Sequence, residues 1–272
     1  MKSLLSVPMD PGKKEYRESV TSANVLCKYM QKPKYLYEIL ANMAIKPRYV
    51  EEIIGFYGID SLYSISIPMV CFCDIPLSKI AKHSDYYGAY GIALDKEFST
   101  NKNVQPVTYI NEKSSYYRDF SNTISNLILY DDHPGDKWKF LTDFMLTQML
   151  YSKPIYGESF KGAEKIKKLF KDECEWRYIP ELPKDMDIIL INRKNTQEGR
   201  DLYNAALAQE ENKSTWLSFN PSEISYLIVP DENAAIDLID YISNELTSYD
   251  TQTRNRLISK IEISNKIEKN FV

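Results

Sequence analysis

The sequence has few cysteines: Cys27, Cys71, Cys73 and Cys174 in 272 residues. They show no disulfide-framework spacing and no CxxC pair, which reads as reduced thiols in a reducing compartment and predicts no metal site. A basic excess is also missing. The 34 Lys and Arg stand against 38 Asp and Glu, a formal net charge of −4. Nucleic-acid binders carry the opposite imbalance, so a nucleic-acid-sensing module is disfavoured. No apolar run approaches the roughly 18 residues needed to cross a bilayer. The apolar patch before Pro8 is only about five residues, too short for a secretory core. These absences predict a cytoplasmic protein with no membrane partner. The chain also lacks a Gly/Ser-rich linker, an internal repeat, a Walker-type phosphate loop, a GxSxG elbow and an HExxH motif.

What is present is an ordinary globular balance, 43% hydrophobic and 26% charged. Residues 1–24 are polar and read as a lead-in. VLCKYM at 25–30 predicts a strand, and Pro33 opens a helix with Tyr35, Leu36, Ile39, Leu40 and Met43 on one face. SIPMVCFC at 66–73 has the length of a buried strand, and Pro76 opens a short helix to about His83. AYGIALD at 89–95 and PVTYI at 106–110 predict further strands. Two helices follow, at 114–130 and 137–150. In the second, Phe140, Leu141, Phe144, Met145 and Leu150 form a stripe expected to face the core. Strands are expected at 174–180, 186–192 and 223–229, and a helix near 196–209. The sum is an α+β domain over 25–230 around a central mixed or antiparallel sheet. It carries a helical insertion at about 113–170 and a helical tail at 231–272.

Chemistry-bearing residues concentrate in two places. Asp74 ends the 66–73 strand, with His83 and Tyr87 shortly after it. Asp74 reads either as a functional carboxylate or as an acceptor of backbone N–H groups at the helix start near Pro76. His83 reads as a proton shuttle or as a cation at a helix end. His133 lies in DDHPGD and reads as a turn residue. The second place is ECEWRYIP at 173–180. Glu175 and Arg177 alternate along a strand and so share a face. Arg177 is structural if paired with a carboxylate, or binds a phosphate or carboxylate through its planar fork. The Lys-rich run at 161–173 reads as a solvated face or, alternatively, as a set of phosphate contacts.

These blocks carry a resemblance. IPMVCFCDIPLS (67–78), then His83, YGAYGIAL (87–94) and Lys96-Glu97 resemble the signature of the AbiGi family of bacterial abortive-infection proteins. LYEILANMAIKPRY (36–49), PVTYI and ECEWRYIP are similar to further blocks of that family, in the same order. The resemblance implies an antitoxin-like regulator in anti-phage defence. Its partner would be a toxin or another protein of the same operon, or a phage component. More distantly, the block order resembles ADP-ribosyltransferase-like folds, which implies a split barrel and an alternative role as an enzyme or toxin using NAD. By that likeness Glu175, His83 and Asp74 are catalytic candidates, and Tyr87, Arg177, Lys28 and Arg48 are ligand-binding candidates. The likeness has one departure. Relatives tend to open the first strand with a His-Phe-Thr-like run, whereas this chain has Cys27-Lys28-Tyr29-Met30. A Lys cannot act as both donor and acceptor as a neutral imidazole does.

Overall fold

The computed structural model describes residues 23–58, 63–79, 86–129, 136–161 and 164–270. In chain order the elements are β1 (Val25–Met30), α1 (Pro33–Asn42), β2 (Ala44–Ile45), β3 (Arg48–Ile53), β4 (Ser64–Cys73), β5 (Tyr90–Asp95), α2 (Lys96–Asn101), β6 (Gln105–Pro106), β7 (Thr108–Ile110), α3 (Ser115–Leu129), α4 (Asp136–Leu150), β8 (Ser152–Pro154), β9 (Tyr156–Lys161), β10 (Glu164–Leu169), β11 (Glu175–Tyr178), α5 (Gln197–Leu207), β12 (Leu217–Ser218), β13 (Ile224–Val229), α6 (Glu232–Asn244), α7 (Thr251–Ile258), β14 (Ile261–Ile263) and α8 (Ser264–Asn270). Several helix starts are written in the sequence. Pro33 sits in the first turn of α1. Asp95, Thr196, Asp231 and Asp250 each accept a backbone N–H three residues on, capping α2, α5, α6 and α7.

Eight strands form one sheet in the order β14-β13-β5-β1-β4-β11-β6, with β3 also paired to β4. The β13–β14 pairing is parallel and the others are antiparallel, so the sheet is mixed. Among the described residues it does not close into a barrel, which corrects the split-barrel expectation. Side chains on β4 alternate between two cores, as the pleat requires. Val70 and Phe72 pack with Leu36 and Leu40 of α1 and Leu238 and Ile242 of α6. Ile65, Ile67 and Met69 pack with Phe120 and Ile124 of α3 and Met145 and Met149 of α4.

The two halves of β4 have different neighbours. β11 pairs with Val70–Cys73, and β3 with Ser64–Met69. Ser66 gives both its N–H and its C=O to Leu190, so β3 lies on the opposite edge. Cys73 pairs with Cys27 of β1 on one side and with Glu175 of β11 on the other. Thus β1 and β3 follow one another along the same edge of β4 and diverge between Met69 and Cys73.

Four expectations need correction. Residues 186–192 are not a strand: Leu190 makes a single bridge to Ser66. The Asp187 carbonyl is taken by the Tyr49 hydroxyl and its carboxylate by Lys194 and Tyr203. The Asp187 carbonyl is thereby unavailable to a ladder. The helices of the 113–170 region end at Leu150. β8 then runs parallel to β7, and β9 and β10 form a hairpin that contains most of the Lys-rich run. The stripe on α4 is displaced: Met145, Met149 and Leu150 are buried, while Phe140 and Phe144 are exposed. A helix turns 100° per residue, so 141, 145 and 149 face inward and 140 and 144 fall beside them. The tail contributes a strand: β14 extends the sheet beyond β13, and α6 packs into the main core. After Pro76 there is a short 3-10 turn, Leu77–Lys79. His83 and His133 lie outside the described residues.

Candidate functional site

A cleft of about 660 Å³ opens where β1 and β3 diverge, with β4 and β11 as its floor and the β9–β10 hairpin along one side. A cleft of that size suits a small molecule or an inserted side chain. Its depth is built by β11. Glu175 lies opposite Cys73 and Arg177 opposite Cys71, so both side chains share the face of β4 that lines the cleft. Just before β11, Cys174 adopts a left-handed φ of 43°. That backbone conformation is uncommon for a non-glycine residue. It kinks the chain so that Glu173 reaches the same cavity as Glu175.

These residues form a buried ion network. Arg177, fully buried, donates from Nε to Glu175 Oε1 at 2.8 Å and from Nη1 to the Leu150 carbonyl at 2.6 Å. Its Nη2 reaches Glu52 Oε1 of β3 at 3.1 Å. Lys153 of β8 lies 2.8 Å from Glu175, 3.4 Å from Glu173 and 3.6 Å from Glu52. Lys168 of β10 pairs with Glu173 at 2.6 Å and donates to the Tyr87 hydroxyl at 2.7 Å, and Tyr87 in turn donates to Glu173. The Lys168 ammonium also sits 3.6 Å from the centroid of the Tyr86 ring. The Glu175 backbone N–H is bound by the Tyr109 hydroxyl at 2.8 Å. Three carboxylates therefore face three cations, and the network is close to neutral.

The electrostatics follow. Burial by itself would raise the Glu175 carboxyl, but the charges of Arg177 and Lys153, with hydrogen bonds from both, hold it well below the usual range. Burial would also raise Glu173, yet Lys153, Lys168 and Tyr87 lower it. Lys153 is held above its ordinary value against the desolvation of burial, by Glu175, Glu52 and Glu173. Arg177 is likewise raised against burial by Glu175 and Glu52. Glu173, Glu175, Lys153 and Arg177 are thus each stabilised in the charged form.

The sequence candidates are placed unequally. Glu175, Arg177, Tyr87 and Lys28 line the cleft. Arg48 is exposed at the start of β3. Asp74 is turned away from the network. Its carboxylate pairs with Lys96 at 2.6 Å and accepts the Ala23 N–H at 3.1 Å, tying the start of β1 to α2 rather than capping the turn after Pro76. Gly88, in the turn after Tyr87, has φ 108°, and a Cβ there would lie 2.2 Å from the Met30 carbonyl, so only glycine fits. Sequence reading missed Glu52, Lys153, Lys168 and Glu173. Glu173 alone left a signal, since its position beside Glu175 in ECEWR places two carboxylates together. Among the described residues no group of three or more His, Cys, Asp or Glu could hold a metal ion. No helix among them is long and apolar enough to cross a membrane.

Comparison with known proteins follows the same blocks. The AbiGi family model, described as an abortive phage resistance protein and antitoxin, matches residues 44–230, and so includes β3, β4, β8, β10 and β11. The abortive phage resistance protein AbiGi of Lactococcus lactis subsp. cremoris is 31% identical over 254 residues, covering 84% of this chain and 100% of that protein. No solved structure matches the chain, so no ADP-ribosyltransferase fold is assigned to it. The chain belongs to the AbiGi family of abortive phage resistance antitoxins.

Proposed function

We propose that the chain is the antitoxin component of an abortive-infection pair, and that it acts by binding a toxin from the same operon. The family supplies the antitoxin role. The observation that carries a binding rather than a catalytic mechanism is the state of Glu175. One of its carboxylate oxygens is bound to Arg177 and the other to Lys153, within a network that balances its own charge. A carboxylate held this way is neither a free base nor a free nucleophile; it is a structural anchor for the walls of the cleft. The test is co-expression with the neighbouring operon gene. Rescue of growth together with co-purification supports the reading. Toxicity unrelieved by the chain, with no complex formed, defeats it.

A second reading rests on a separate observation. The cleft has the volume of a small-molecule site and places Glu175 near Tyr87 through Glu173. On that reading the chain transfers ADP-ribose from NAD. Incubation with labelled NAD and cell lysate decides it: label transferred to a macromolecule by the wild type, and lost in a folded Glu175→Gln variant, would replace the binding mechanism.

A further inference from the structure

Where β1 and β3 part, the edge of β4 is open. β1 reaches it only at Cys73 and β3 only as far as Met69. The Ser66 N–H and C=O meet Leu190, and the Asp74 N–H meets the Cys174 carbonyl, so the even-numbered residues of β4 bond towards the β11 side. Alternation turns the N–H and C=O of Cys71 to the other edge, between the two departing strands. Cys71 lines the cleft, which brings this donor and acceptor to the cavity. A backbone donor and acceptor together on an open strand edge are what an extended chain pairs with.

The cleft is also unevenly charged. Glu51, Glu52, Glu112, Glu158, Glu173 and Glu175 line it, against Lys28, Lys153 and Arg177. Lys168 adds a cation beside Glu173, and Arg200 of α5 reaches Glu51 at 3.2 Å. The carboxylates of the mouth are Glu112 and Glu158, both exposed. Two exposed tyrosines, Tyr63 and Tyr156, line the cleft with them, and the Tyr63 hydroxyl reaches Glu158 at 3.5 Å. Rings and carboxylates together favour a cation. A guanidinium suits them best, since its plane pairs with a carboxylate and stacks on a ring. The cleft already holds its own cations in this way: the Lys168 ammonium lies 4.5 Å from the Tyr87 ring centroid and that of Lys153 lies 4.9 Å from the Phe170 centroid.

We infer that the cleft receives an extended, arginine-bearing peptide segment of a partner protein, its backbone paired with Cys71 on the open edge of β4 and its basic side chain set among Tyr63, Tyr156, Glu112 and Glu158. This rests on the toxin-binding reading and names what the toxin presents. An acidic or phosphate-bearing segment is disfavoured by the same surplus of carboxylates.

Calorimetric titration of the full chain with the peptide acetyl-Thr-Arg-Thr-Arg-Thr-amide tests this. Saturable binding is expected, with slower hydrogen exchange at the Cys71 amide. Peptides N-methylated at the arginines or at the threonines keep the charge but lose alternate donors, and one of the two should bind at least tenfold more weakly. Glu112→Gln combined with Glu158→Gln changes only exposed residues and should weaken binding at least fivefold. Glu211→Gln, at an exposed carboxylate outside the cleft, should leave it unchanged. The corresponding glutamate peptide should not bind. No saturation by the arginine peptide, undiminished affinity for both N-methylated peptides, equal affinity for the glutamate peptide or for free argininamide, or an unchanged Cys71 exchange rate at saturation overturns the inference. The titration uses no toxin. Growth rescue and co-purification by a chain that ignores the peptide would keep the antitoxin reading and remove the cleft from it, and peptide binding without rescue would do the reverse.

Discussion

At the floor of the cleft, Arg177 and Lys153 each have a carboxylate within 2.8 Å. At the gap where β1 and β3 part, the Lys28 and Arg48 side chains form no ion pair among the described residues. The same kinds of side chain are used in opposite ways. The floor network joins β3, β8, β10 and β11, four elements far apart in the chain, and each charge in it is needed by another. The gap cations hold nothing together. Charges matched inside the protein hold distant strands together, and Lys28 and Arg48 take no part in that.

Removing one charge from each region breaks or sharpens this contrast. Arg177→Met should have the largest effect, because it leaves Glu175 and Glu52 buried without their guanidinium. A loss of about 3–5 kcal/mol is expected, read by urea unfolding. A loss under about 1 kcal/mol would mean that the network is not what holds the floor. Glu175→Gln should cost about 3 kcal/mol at neutral pH and should also change the acid response. Glu175 and Glu173 have folded pKa values below the unfolded carboxylate value. Their contribution is fully present above about pH 4.3 and is lost as pH falls through the lower folded values. Wild-type stability should therefore fall on acidification below about pH 4, and the variant should fall less steeply. Parallel acid limbs would contradict the assigned direction. Asp74→Asn weakens a partly exposed clamp to Lys96 and should cost about 1 kcal/mol, with growth rescue unchanged. Loss of rescue in a stable Asp74→Asn protein would return that residue to the functional list. Arg48→Met should change stability by no more than about 0.5 kcal/mol, since nothing in the fold depends on it. A larger loss would erase the distinction between floor and gap.

The sequence made much of this molecule legible. The strands at 25–30, 66–73, 89–95 and 223–229 and the helices at 33–43, 114–130 and 137–150 were readable because each has an unbroken apolar period or a Pro or Asp start signal. The MDIILIN run misled because its apolar composition suits a strand, while its backbone and carboxylate are claimed by Tyr49, Lys194 and Tyr203 from other parts of the chain. In the site, Glu175 and Arg177 were readable as a pair by their period of two. Their partners were not, because Glu52, Lys153 and Lys168 sit in three separate strands with no shared motif. Asp74 illustrates the converse: its place at a strand end suggested a site, and its side chain joins Ala23 to Lys96 instead.

By itself the sequence determined the family, the α+β composition, the elements with strong periodicity and the shared face of Glu175 and Arg177, since these depend on neighbours within a few residues. The tertiary structure alone decided that β1 and β3 part along one edge of β4, that Arg177 is neutralised by Glu52 and Glu175, and that Lys28 is not neutralised. Charge pairing depends on which distant strands become neighbours, and sheet order follows from packing the whole chain rather than from any local run of residues.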